Sequence, residues 1–135
     1  MHFDTRIAVV VREDLLGWQK LNVTAFTVSG IASLPDVLGE NYEDGCGRSY
    51  LPMIRQPIMI FAATAEQIRA LYQQAAGSDA TFSIYTAELF STPHDEANRA
   101  AVKARRSDEL DLVGMALRGR KKLMDRLLKG LRLHP

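Results

Sequence analysis

Arg6-Ile-Ala-Val-Val-Val-Arg12 is an uninterrupted apolar run between two charged residues. Four of its five apolar residues are β-branched, which is typical of a strand buried on both faces of a parallel or mixed sheet. Residues 57–62 form a similar run and predict a second buried strand. Residues 81–86 alternate and predict a third strand, and residues 110–117 predict a fourth.

Helices are predicted between and after these strands. Apolar residues recur at helical spacing over about residues 18–32, 65–76, 93–106 and 120–129. Thr64 and Gln67 match a capping box at the start of the second helix, and Thr92 and Pro93 fit the N-cap and first position of the third. The alternation predicts an α/β fold, a three-layer α/β/α sandwich with a mixed sheet of about four strands, as a single domain over residues 1–135.

Composition excludes several classes of protein. The chain has 135 residues, 47% hydrophobic and 24% charged, which excludes a disordered chain, a collagen-like repeat and a disulfide scaffold. Its longest apolar runs, residues 7–11 and 58–63, are far shorter than the roughly 20 residues of a membrane helix. Residues 1–6 contain Asp4 and do not resemble a secretory signal. Cys46 is the single cysteine and cannot form an internal disulfide, so we expect a cytoplasmic protein without a membrane partner.

The net charge of +1 is unevenly distributed. Residues 1–98 hold 6 Lys/Arg and 12 Asp/Glu, whereas residues 99–135 hold 11 Lys/Arg and 4 Asp/Glu. Such asymmetry indicates either a contact with phosphates or an ordinary solvated helix face. On the first alternative, one face of the last helix contacts RNA through Arg120, Lys121, Lys122 and Arg126.

Motifs for metals and phosphates are absent from the sequence. His2, His94 and His134 are scattered without ligand spacing, and no glycine-rich phosphate loop is present, so no metal or cofactor is expected. Cys46 lies between two glycines in an irregular segment over residues 34–56. It is a small residue in a tight turn, a contact to a ligand, or a catalytic nucleophile.

The junction of the first strand and first helix carries the most chemistry. Arg12 and Asp14 lie at the carboxyl end of the first strand, where ligands bind in α/β sheets. Lys20 could supply a positive charge to a phosphate or a developing oxyanion. Three polar residues of the helix either hydrogen-bond to the helix itself or line a pocket: Asn22, Thr24 and Thr27.

Two resemblances follow from these residues. Ile7-Ala-Val-Val-Val-Arg-Glu-Asp-Leu15, followed by Lys20, resembles the opening of the peptidyl-tRNA hydrolase type II family, and residues 110–119 resemble its last strand. Lys20-Leu-Asn-Val-Thr-Ala-Phe26, residues 92–99 and residues 114–122 resemble a bacterial group of uncharacterised proteins, domain-of-unknown-function family 2000. The second resemblance covers nearly the whole chain.

The hydrolase resemblance implies a fold and a set of roles. Lys20 stands at the position of the hydrolase lysine, and Asp95 or Glu96 is nearest to its acidic residue. Thr27 stands where the hydrolases carry a histidine, and a threonine cannot act as a base near neutral pH. We therefore expect binding of a small or nucleotide-like ligand at the junction. The alternative is hydrolysis of an ester or amide in a tRNA-linked or smaller substrate by Lys20 with Asp95 or Glu96. A homodimer is also expected from apolar helix faces and strand edges.

Overall fold

A computed structural model describes residues 2–135 of the chain, in which strands and helices alternate. The strands are β1 (Thr5–Arg12), β2 (Tyr42–Glu43), β3 (Ser49–Tyr50), β4 (Ile58–Ala63), β5 (Thr81–Thr86), β6 (Leu112–Arg120) and β7 (Arg132–Leu133). The helices are α1 (Gly17–Ala32), α2 (Ala65–Ala76), α3 (Asp95–Lys103) and α4 (Lys121–Leu127). Two short 3₁₀ segments, Ala87–Ser91 and Ser107–Glu109, flank α3.

The main sheet is mixed and has the strand order β5-β6-β1-β4-β7. The two buried apolar strands, β1 and β4, are parallel neighbours, with Val9 opposite Ile60. The pairs β1–β6, β5–β6 and β4–β7 are antiparallel. The predicted α/β class is confirmed, but the sheet has a fifth strand, β7, which is too short to show a periodic pattern in the sequence. Strands β2 and β3 form a separate hairpin within the irregular segment.

Helices cover both faces of the sheet. On β1, Ile7, Val9 and Val11 point to the face covered by α1, while Ala8 and Val10 point to the face covered by α2 and α4. All five side chains are buried because successive residues of a strand face opposite sides. The two resulting cores explain the continuous apolar run, and the predicted three layers are confirmed.

A glycine allows α1 to pack directly on β6. A Cβ atom at Gly114 would lie 2.3 Å from Cγ1 of Val23 on α1 and 3.2 Å from the carbonyl oxygen of Val10. A side chain at this position would therefore separate the helix from the sheet.

Helix boundaries agree with the sequence at α2 and differ at α3. The Thr64 hydroxyl accepts from the Gln67 amide at 3.1 Å, and the Gln67 side chain accepts from the Thr64 amide at 2.9 Å, which confirms the capping box. The prediction of Thr92 as the cap of α3 is wrong: His94 Nδ1 accepts from the Ala97 amide at 3.1 Å. Over residues 2–135, no helix combines the length and apolarity needed to cross a bilayer.

Candidate functional site

The carboxyl ends of β1 and β4 lie side by side and are joined by a backbone hydrogen bond. The Glu13 amide donates to the Ala63 carbonyl at 2.9 Å. The Arg12 guanidinium contacts the carboxylates of Asp14 at 2.7 Å and Asp111 at 3.3 Å. Because two carboxylates neutralise it, Arg12 joins the end of β1 to the segment before β6. Its predicted contact to a ligand, and that of Asp14, would require these ion pairs to rearrange.

Lys20 lies against a histidine that is 114 residues away in the sequence. The Lys20 Nζ atom is 3.2 Å from Nε2 of His134, and both side chains are half-buried. Lys20 is on the first turn of α1, where its amide donates to the Leu16 carbonyl at 3.0 Å. The amide of His134 donates to the Ile60 carbonyl at 2.8 Å, which continues the β7 pairing and holds the imidazole beside β4.

The hydrogen-bond partners of the His134 imidazole indicate which of its two nitrogens carries the proton. Nδ1 of His134 lies 3.0 Å from the main-chain oxygen of Pro135, which can only accept. We therefore assign the proton of the neutral ring to Nδ1. Nε2 is then an acceptor, and it receives a hydrogen bond from the Lys20 ammonium.

The charge of Lys20 is not neutralised by any Asp or Glu side chain that the structure describes. Among residues 2–135, no Asp or Glu oxygen lies within 4.0 Å of its ammonium. Arg132, two residues before His134, pairs loosely with Glu13 at 3.6 Å, and its side chain is 73% exposed. The site therefore has one unpaired cation and a second cation at its rim.

The surface around Lys20 and His134 is partly exposed to solvent. Helix α1 packs mainly on β1, β5 and β6, away from the β7 edge of the sheet. Ile60 of β4 is 36% exposed as a result. We call this surface the α1–β7 groove and define it by Lys20, Ile60, Arg132 and His134.

The threonines of α1 hydrogen-bond to their own helix. The hydroxyl of Thr24 donates to the Lys20 carbonyl at 2.8 Å, and the hydroxyl of Thr27 donates to the Val23 carbonyl at 2.7 Å. Thr27 is also 1% exposed. These two threonines therefore hydrogen-bond within the helix and do not line a pocket. Because Thr27 is buried, it has no surface with which to contact a ligand.

Asn22 faces the other side of α1. Its side-chain oxygen accepts from the Tyr85 hydroxyl at 2.9 Å. Tyr85 is buried, and desolvation raises its pKa above the ordinary value of 10.0. Asn22 thus supplies the hydrogen-bond acceptor for the buried hydroxyl of Tyr85 on β5.

The predicted acids lie away from Lys20. Asp95 and Glu96 are exposed at the start of α3, and Asp95 pairs with Arg99 at 2.8 Å. Helix α3 packs on segment Ala87–Ser91, which follows β5, whereas His134 extends β7 at the opposite edge of the sheet.

Lys20 and helix α3, which carries Asp95 and Glu96, lie on different sides of α1. Trp18 contacts Phe90 beside α3, with ring centroids 5.6 Å apart. Lys20 follows Trp18 by two residues, which is roughly 200° around a helix. The expected grouping of Lys20 with Asp95 or Glu96 is therefore corrected, and His134 is the side chain that approaches the lysine.

Cys46 lies in the turn of the β2–β3 hairpin, where it is exposed. The Asp44 carboxylate accepts from the Tyr50 hydroxyl at 2.7 Å, the Cys46 amide at 2.9 Å and the Arg48 amide at 3.0 Å. These bonds, the Tyr50 hydroxyl first, lower the pKa of Asp44 below its ordinary value of 3.8. Cys46 thus contributes its backbone to the turn. Among the described residues, no three His, Cys, Asp or Glu side chains cluster as metal ligands would.

Comparison with known proteins shows the family to which the chain belongs. The model of a family described as "Protein of unknown function (DUF2000)" matches residues 5–135. The chain belongs to this family. A solved structure of a protein of unknown function from Agrobacterium tumefaciens strain C58 is 46% identical, with a TM-score of 0.94 over 99% of this chain and 100% of that chain. No curated protein matches. The DUF2000 resemblance is thus confirmed, and the relation to peptidyl-tRNA hydrolases stays a prediction.

Sequence reasoning missed His134. It is the second residue from the end of the sequence, outside every predicted element, and its neighbours carry no motif. The only signal was the short apolar and basic stretch Leu131-Arg-Leu133, and two paired residues are too few to establish a strand.

Proposed function

We propose that this DUF2000 protein binds a small anionic molecule in the α1–β7 groove. The observation that carries the proposal is the contact of Lys20 with His134 at 3.2 Å, with no Asp or Glu carboxylate of the described residues paired to the lysine. An ammonium has three donors, and His134 takes one of them. The remaining donors suit the oxygens of a carboxylate or phosphate, since charge-assisted hydrogen bonds of this kind are strong.

The rest of the groove suits a ligand with an apolar part. The exposed Ile60 side chain lies on the strand to which His134 is paired. Arg132 lies on the same strand as the histidine backbone and is mostly exposed. A ligand that carries an acidic group and a short apolar or planar body would contact all of these groups. This supports the small or nucleotide-like class of ligand expected at the first strand–helix junction.

Nuclear magnetic resonance can locate the binding. We expect adenosine monophosphate or N-acetylglycine, one phosphate and one carboxylate probe, to shift the amide signals of Lys20, Ile60 and His134. Lys20→Met keeps the length of the side chain and removes its charge, so the shifts should be lost. Lys103→Met, on exposed α3, is the matched control and should leave them unchanged. Shifts elsewhere only, or none with either probe, would overturn the proposal.

Hydrolysis of an ester or amide is the second candidate. The observation that favours it is the acceptor nitrogen of His134 beside a lysine, because an imidazole is the side chain best suited to proton transfer near neutral pH. In this version, the Lys20 ammonium turns from Nε2 of His134 to the substrate and stabilises negative charge there, and the freed Nε2 atom accepts a proton from the attacking water. Hydrolysis of N-acyl-aminoacyl-tRNA or p-nitrophenyl acetate should then be lost in His134→Ala and retained in His94→Ala. Equal rates in the two variants would rule this candidate out.

A further inference from the structure

A second charged surface lies at the opposite end of the sheet. An open depression of about 830 Å³ lies between the start of β1, the segment after α2, the end of β6 and α4. Five cationic residues line it, and we call it the α4 depression: Arg118, Arg120, Lys121, Lys122 and Arg126. They are close together because β6 continues directly into α4, with Arg120 as the N-cap.

No Asp or Glu among the described residues pairs with any of these five cations. In the part of the chain that the structure describes, none of them has a carboxylate oxygen within 4.0 Å. Asp125, the one acid of α4, pairs instead with Arg6 at 2.9 Å. Only two carboxylates, Asp4 and Asp79, line the depression against the five positive charges.

One cation has an unsatisfied donor. The Nε atom of Arg118 is buried and has no hydrogen-bond partner among residues 2–135. A buried donor without an acceptor destabilises the folded state, and unpaired like charges in one depression repel one another. Anionic oxygens in the depression would relieve the repulsion and bring acceptors close to the guanidinium.

We propose that the α4 depression binds clustered phosphate groups. Its volume is in the range of sites for small molecules, and its concave shape distinguishes it from the outward face of an ordinary helix. Among the described residues that line it, none is aromatic, so recognition would be through charge and not through base stacking. A small oligophosphate and the backbone of an RNA strand both present this chemistry.

Direct binding to the full chain distinguishes the two sources. The probes are inorganic tripolyphosphate, measured by calorimetry, and a fluorescein-labelled 12-nucleotide polyuridine RNA, measured by anisotropy. In the double variant Lys122→Ala/Arg126→Ala, the affinity for the bound probe should fall at least about tenfold. For the RNA, the slope of log K against log salt should become less steep by about two, one for each lost cation.

Controls separate this site from charge in general and from the α1–β7 groove. Lys103→Ala/Arg106→Ala removes two exposed charges outside the depression and should change affinity by less than about twofold. Circular dichroism checks that both double variants are folded. Binding of RNA alone identifies a nucleic-acid backbone as the source, and binding of tripolyphosphate alone identifies a small oligophosphate. The proposal is overturned if neither probe binds, if both double variants bind equally, or if only Lys20→Met weakens binding.

Discussion

The contact between Lys20 and His134 links two residues that no local pattern could join. His134 reaches the lysine because β7 pairs with β4 and places the imidazole on the α1 side of the sheet. The sequence predicted Lys20 as the charged group at the first strand–helix junction. It could not predict the partner, because the pairing of two residues on β7 depends on the completed sheet and not on local propensity.

Thr27 tests whether the polar residues of α1 serve the helix or a ligand. We predict that Thr27→Val leaves binding in the α1–β7 groove unchanged, because Thr27 is buried and its hydroxyl donates to Val23. The free energy of unfolding should fall by about 1 kcal/mol for the lost hydrogen bond. Denaturant unfolding and probe titration of the same variant measure the two effects. A large loss of affinity without loss of stability would show that Thr27 contacts the ligand.

The β2–β3 hairpin is held by one carboxylate, which makes its turn sensitive to acid. The pKa of Asp44 is lowered by the Tyr50 hydroxyl and by the amides of Arg48 and Cys46. The pKa of Asp44 is lower in the folded chain than in the unfolded chain, where it is about 3.8. The stabilising hydrogen bonds are therefore fully present above about pH 3.8, and they are lost as the pH falls through the pKa of the folded chain. We predict that the amide signals of Cys46 and Arg48 move with a midpoint below pH 3.8.

The matched variant for this titration is Asp44→Asn. It keeps the shape of the side chain and removes the ionisable group, so the acid transition of the turn should vanish. The same carboxylate raises the pKa of Tyr50 above its ordinary value of 10.0. Phenolate absorbance should therefore show Tyr50 ionising at a lower pH in Asp44→Asn than in the intact chain. An unchanged acid transition in Asp44→Asn would contradict this assignment.

Close packing of α1 on β6 depends on Gly114. We predict that Gly114→Ala lowers the free energy of unfolding by about 1–3 kcal/mol, because the new methyl would overlap the Val23 side chain. Gly45→Ala is the control, since a Cβ atom there meets nothing within 4 Å, and it should change stability by less than about 0.5 kcal/mol. Denaturant midpoints compare the two variants. Equal free energies of unfolding in Gly114→Ala and Gly45→Ala would mean that α1 moves to make room for the new methyl without loss of stability.

At the scale of the whole molecule, β7 protects one edge of the sheet. Strand β4 is an apolar strand, Ile58-Met-Ile-Phe-Ala-Ala63, and β7 pairs with Phe61 and Ala62. We predict that deletion of residues 132–135 exposes this edge and causes self-association, since unpaired apolar edges pair with other chains. Light scattering after size exclusion measures the effect and also tests the predicted homodimer of the intact chain.

His134→Ala controls for the loss of the imidazole, since it retains the backbone that pairs with β4. It should keep the apparent mass of the intact chain. A truncated chain with that same mass would contradict the role of β7 as a protecting strand.

The predictable part of the molecule is the part with long periodic patterns. The apolar runs of β1 and β4 and the capping box of α2 are local features, and they predicted the α/β class with helices on both faces. Strand β7 has two residues, and the local stretch Leu131-Arg-Leu133 was too short to establish it. Asp95 and Glu96 were placed with Lys20 by resemblance, whereas the strand order puts α3 beside β5 at the far edge.

The most direct test of the account is a double-mutant cycle on the α1–β7 groove. The dissociation constant of adenosine monophosphate is measured by calorimetry for the intact chain, Lys20→Met, His134→Ala and the double variant. If the two side chains form one anchor, each single variant should bind about tenfold more weakly, and the double variant little more weakly than either. Unchanged affinity in Lys20→Met, or losses that simply add, would contradict a shared anion site at Lys20 and His134.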